Sequence, residues 1–169
     1  RDKKNDKNHA GLWDKPLQDQ HNFLNKWQYT AAIHGIVGFF NIRYLDDEKI
    51  IGMDNNETRN VWNGEISTKR FDSSFKLGYV NPNLPFQSLG VQLAYSSHDQ
   101  NSLYGFRNYD INQNSFFSNV VYNSIITNTQ NKIKFGLNYT SDVYNEILNR
   151  SDVGRKDNSF GGFFEYSFD

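Results

Sequence analysis

The feature that most constrains this chain is an alternation of apolar and polar residues with period two, renewed along most of its length. In KIKFGLNYT (132–140), Ile133, Phe135, Leu137 and Tyr139 alternate with Lys134, Gly136, Asn138 and Thr140. Successive side chains of a strand point to opposite faces, so the pattern reads as a strand with one oily face and one wet face. It recurs at Phe23, Trp27 and Tyr29, at Ile36, Phe40, Ile42 and Tyr44, and at Phe71, Phe75, Leu77 and Tyr79. Further along it returns at Leu89, Val91, Leu93 and Tyr95, at Phe116, Val120, Tyr122 and Ile126, and at Phe160, Phe164, Tyr166 and Phe168. Seven strands and no helix are predicted. Residues 1–21, charged and aperiodic, are expected to form a loop or disordered arm, and residues 22–169 the sheet.

The oily faces need either a packed core or lipid. Only 37% of the chain is hydrophobic while 16% is aromatic, with 14 Phe, 10 Tyr and 23 Asn. Soluble cores are built mainly from aliphatic residues, whereas this mixture suits a sheet that is half wet. No stretch approaches the roughly 18 apolar residues of a membrane-spanning helix. The richest run, Ala31 to Phe40, is interrupted by His34, Gly35 and Gly38. A closed β-barrel also satisfies its backbone in lipid. Two readings therefore stand side by side: a transmembrane antiparallel up-and-down β-barrel, and a soluble β-sandwich binding module with an aromatic core.

The connections favour the barrel. Short ones (30–34, 81–87, 127–131) are expected to alternate with long polar ones (46–64, 98–113, 149–158), the rhythm of strands running between two unlike sides of a membrane. Trp27, Tyr29 and Tyr79 fall near the short turns, where an interfacial girdle would hold them. Ile133, Phe135, Leu137 and Tyr139 are then lipid-facing, and Arg43, Gln92, Asn119, Asn123 and Asn138 lumen-facing. So polar a face suits a wide, watery barrel better than a narrow one, and seven strands are too few to close a wide barrel.

Chemistry is sparse. Cysteine is absent and the histidines at 9, 21, 34 and 98 lack metal-ligand spacing. No nucleophile elbow, P-loop or zinc-protease motif occurs, so neither catalysis nor a cofactor or metal is expected. A net charge of −1 gives no basic field for nucleic acid. The stretch Leu103 to Tyr109, with Tyr104, Phe106, Arg107 and Tyr109, has the composition of a binding surface and is the expected ligand contact if it forms an exposed loop.

The run from FDSSFKLGYV through HDQNSLYG and YDINQNSFFSN to the closing GGFFEYSF, with NFLNKWQYT and NIRYLDDEK upstream, resembles the barrel of TonB-dependent outer-membrane receptors. The likeness covers about residues 15–169. It implies that the chain is a segment of a 22-stranded barrel wall, without the plug domain, in a bacterial outer membrane. It also implies energised uptake of a nutrient such as a siderophore, cobalamin, haem or glycan. The implied partners are outer-membrane lipid, a TonB complex reached through parts of the parent protein outside this chain, and a surface lipoprotein in some members.

Overall fold

The computed structural model describes residues 13–52 and 62–168. They form one antiparallel up-and-down sheet of eight strands that does not close on itself. The strands are β1 (Leu17–Ala31), β2 (Ile36–Gly52), β3 (Asn63–Val80), β4 (Ser88–Tyr104), β5 (Arg107–Ile126), β6 (Asn128–Leu148), β7 (Ser151–Asp152) and β8 (Arg155–Phe168). Each pairs with the next as far as β7, and β8 pairs with β6. β7 and β8 thus form one edge strand, interrupted at Val153 and Gly154. That interruption makes eight strands of the expected seven. A 3-10 turn, Ala32–His34, joins β1 to β2 and closes on Gly35 at φ 64.

The strands are much longer than the alternation indicates. β5 has 20 residues and β6 has 21, against a usual five or six. The expected long connections shrink accordingly. The one at 98–113 is a two-residue turn, Gly105–Phe106, and the one at 149–158 is a two-residue turn, Asn149–Arg150, followed by strand. Of 46–64, residues 46–52 and 63–64 are strand, and 53–61 lie outside the described residues. The short-against-long rhythm is therefore not a property of this sheet. Both tight turns have the backbone that such hairpins require: Gly105 at φ 64 in the first central position of one, Asn149 and Arg150 at φ 47 and 75 in the other.

β1 also begins within the expected arm. Leu17 to His21 pair with Ile50 to Asp46 on β2, and residues 1–12 lie outside the described residues. A strand ladder is held by backbone hydrogen bonds, so a stretch with two polar faces extends it without showing any alternation.

The sheet is a single layer. No hydrophobic residue among those described is buried, and no second sheet covers either face.

Candidate functional site

Register turns the alternation of single strands into bands that cross the sheet. One unbroken row on the apolar face runs Ala31, Ile36, Tyr79, Leu89, Tyr122, Phe135, Phe164. The next rows add Tyr29, Leu77, Val91, Val120 and Leu137, then Trp27, Phe40, Phe75, Leu93, Tyr139 and Phe160. These side chains stand open: Tyr29 is 64% exposed, Leu137 50% and Phe164 69%. Trp27, expected at the rim, instead stacks on Phe40 inside the band with ring centroids 5.2 Å apart.

The band has edges, and tyrosines mark both. Tyr44 on β2, Tyr95 on β4 and Tyr139 on β6 lie along the upper edge, each one register row lower than the last. Their hydroxyls donate outward to Asp46 Oδ2 (3.4 Å), Asn114 Oδ1 (2.9 Å) and Asn158 Oδ1 (3.2 Å). Tyr29, Tyr79, Tyr122 and Tyr166 mark the lower edge, which also descends from β1 to β8. About six residues separate the two lines on neighbouring strands, roughly 20 Å along the strand. Above the upper line the same face turns polar: His21, Asp46, Lys69, Asp99, Asn112 and Asn145 form one row.

The opposite face is mixed over the height of the band, with Val37, Phe39, Phe117, Val121 and Phe163 set among mainly polar residues. Arg43, Gln92, Asn119, Asn123 and Asn138 all lie on it, whereas Ile133, Phe135, Leu137 and Tyr139 all lie on the apolar face. Gln92, Asn119 and Asn138 are successive register partners, extended by Lys76 on β3. Cross-strand hydrogen bonds satisfy much of the face, as polar groups in a sheet demand. Asn41 donates to Ser74 (3.0 Å), Asn123 to Ser88 (3.0 Å), and Lys134 pairs with Glu165 (3.4 Å). Asp72 receives Arg70 Nε on both oxygens (3.0 Å) and the Ser96 hydroxyl (2.7 Å). Arg43, its register partner, is left without it.

Above the band, Asp47 is buried. Lys49 Nζ lies 2.6 Å from its Oδ2, and Gln18 Nε2 donates to its Oδ1 at 2.7 Å. Burial by itself would raise this carboxyl's pKa, but the hydrogen bonds from Lys49 and Gln18, with the Lys49 charge, hold it below the usual value.

The expected ligand contact is not a long loop. Tyr104 ends β4, Phe106 occupies the tight turn at 94% exposure, and Arg107 and Tyr109 belong to β5. Tyr104 and Arg107 are register partners, so Tyr104, Arg107 and Tyr109 share the polar face. The neighbouring hairpin tip is tied to this one: Asn108 N–H donates to Asn149 Oδ1 (3.1 Å) and Asn149 N–H to the Asn108 carbonyl (3.0 Å). Phe106, Arg107, Asn108, Asn149 and Arg150 thereby line a shallow depression of about 390 Å³. Arg150 joins the group only through strand pairing, and no sequence pattern connects it to Arg107. Among the described residues no three His, Asp or Glu side chains cluster to hold a metal.

No family model, no curated protein and no solved structure matches the chain.

Proposed function

We propose that this chain is part of the barrel wall of a TonB-dependent receptor in a bacterial outer membrane. In this reading the apolar face meets lipid and the polar face lines a water-filled or plugged lumen. The parent protein would carry out energised uptake of a bulky nutrient, a siderophore, cobalamin, haem or glycan, without catalysis by this segment. Lipid and a TonB complex acting through the rest of the parent are the partners, with a surface lipoprotein a further one.

One observation carries the reading: two tyrosine lines bound an apolar band that no second layer covers among the described residues, and both run oblique to the register. Strands that cross a bilayer at a tilt produce that obliquity, because the membrane plane cuts each successive strand at a shifted residue. A soluble β-sandwich would need a second sheet on this face, and the described residues provide none. The edges of β1 and β8, unpaired among the described residues, also suit a wall that continues on both sides.

The chain contains no cysteine, so single cysteines at 133–135 and 137–139 can carry spin labels after reconstitution into liposomes. Labels at Ile133, Phe135, Leu137 and Tyr139 should collide with dissolved oxygen, and those at Lys134 and Asn138 with a water-soluble nickel chelate. A uniform response along the strand, or a chain that stays soluble and folded without detergent, would refute the membrane reading.

A further inference from the structure

The two joined hairpin tips carry features that their folding does not require. The turn between β6 and β7 holds Asn149 and Arg150 at φ 47 and 75. Asparagine tolerates that left-handed backbone, but glycine is the residue favoured at the second position, so an arginine there is strained. Backbone strain of this kind gathers at functional sites. In the turn between β4 and β5, Gly105 takes the left-handed position and the next residue, Phe106, stands 94% exposed.

The tips present cations and no anion. Phe106, Arg107, Asn108, Asn149 and Arg150 line their depression, and no carboxylate does. Among the described residues neither Arg107 nor Arg150 has an ion-pair or hydrogen-bond partner for its side chain. The nearby acids are engaged or lie elsewhere. Glu146 pairs with Arg155 (3.3 Å), and Asp152 Oδ1 accepts the Gly154 N–H (2.9 Å). Asp110 lies on the opposite face of β5 from Arg107. Two hydrogen bonds between Asn108 and Asn149 hold the tips together, and with them the two arginines.

We infer that the joined tips bind a phosphate monoester carried on a ring, with its phosphoryl oxygens on Arg107 and Arg150 and the ring against Phe106. Each guanidinium is a planar fork of N–H donors that matches two oxygens of an anion. A carboxylate fills one fork. A phosphoryl group offers three acceptor oxygens and a charge of about −2, so two forks can share it. The phosphate of a surrounding lipid lies out of reach. Phe106 stands eleven residues beyond Tyr95 of the upper tyrosine line, about 35 Å along the strand and its turn. The ligand is thus a phosphate ester in the water above the band. The inference goes beyond the barrel reading and does not depend on it, since the tips are open to solvent whatever meets the band.

The test is an amide chemical-shift titration of the full chain with phenyl phosphate, in a nonionic detergent at mildly alkaline pH. Inorganic phosphate, benzoate and glycerophosphocholine, a soluble lipid-headgroup diester, are the comparisons. Phenyl phosphate should move the amides of 105–109 and 148–151 and bind roughly fivefold or more tighter than benzoate. Phe106→Ser should reduce its affinity to that of inorganic phosphate. Arg107→Gln and Arg150→Gln should each weaken it by roughly fivefold or more. Arg150→Gly separates binding from folding: it should weaken binding to the same extent while raising the urea midpoint, because glycine relieves the turn. Lys156→Gln on β8 should change nothing. No saturable binding, equal binding of benzoate, or tighter binding of glycerophosphocholine would overturn the inference. So would an Arg150→Gly chain that binds as the wild type does.

Discussion

The ring of Phe163 on β8 lies over Gly136, its register partner on β6, and fills the space a side chain there would need. The Val120 carbonyl would lie 3.0 Å from an added Cβ, so the backbone closes the site from the other side. An aromatic ring laid across a strand glycine restores the packing that glycine lacks.

Gly136→Ala should therefore destabilise the sheet by about 1–3 kcal/mol through overpacking. Phe163→Ala in the same chain should recover part of that loss, because the two residues couple. Urea unfolding of the wild type, both single variants and the double variant in one detergent measures the coupling. Strictly additive losses would show that the ring is not what fills the site.

Leu137 and Asn138 are adjacent in sequence and point to opposite faces. Leu137→Arg in a bilayer should cost about 2–4 kcal/mol if the residue faces lipid. Asn138→Arg, on the wet face, should stay within about 1 kcal/mol. Equilibrium folding into lipid vesicles gives both values, and equal large losses would contradict two unlike solvents on the two faces.

The upper tyrosines bear on where the band ends. Tyr95→Phe removes the donor to Asn114 and should cost about 0.5–1.5 kcal/mol. Tyr95→Ala, which also deletes the ring, should cost more. In water-soluble conditions without lipid or detergent neither variant should rescue folding, which far-ultraviolet circular dichroism would show.

Asp47 sets an acid limit. Its pKa is lowered in the folded chain, so the stability it contributes is complete above the unfolded carboxylate value, near 3.9, and is lost as pH falls through the lower folded value. Stability measured from pH 6 down to pH 2 should thus decline below about pH 4. Asp47→Asn should flatten that part of the decline and cost about 1 kcal/mol at neutral pH, since Lys49 is partly in water and loses its partner only incompletely. An unchanged acid limb in Asp47→Asn would remove Asp47 from the account.

How far the sequence could be read follows from what produces a period of two. Alternation is visible only where the two faces of a strand meet different surroundings. Residues 133–139 sit between an oily and a wet side, and their strand, its faces and the orientation of each residue are legible from the chain alone. Residues 98–113 and 149–158 have polar residues on both faces, so their alternation vanishes and they read as loops, although backbone pairing carries the strands straight through to two-residue turns. Leu17 to His21 were hidden in the same way.

The sequence by itself thus determined an all-β sheet, the apolar and polar sides of seven strands, and which residues share a side, because side-chain direction in a strand is a local property. Tertiary structure alone decided register, because pairing is set by turns and by backbone bonds that carry no side-chain signature. From register came the oblique tyrosine lines and the joining of two hairpin tips through Asn108 and Asn149. Each places residues from different strands side by side, and nothing in their linear order requires it.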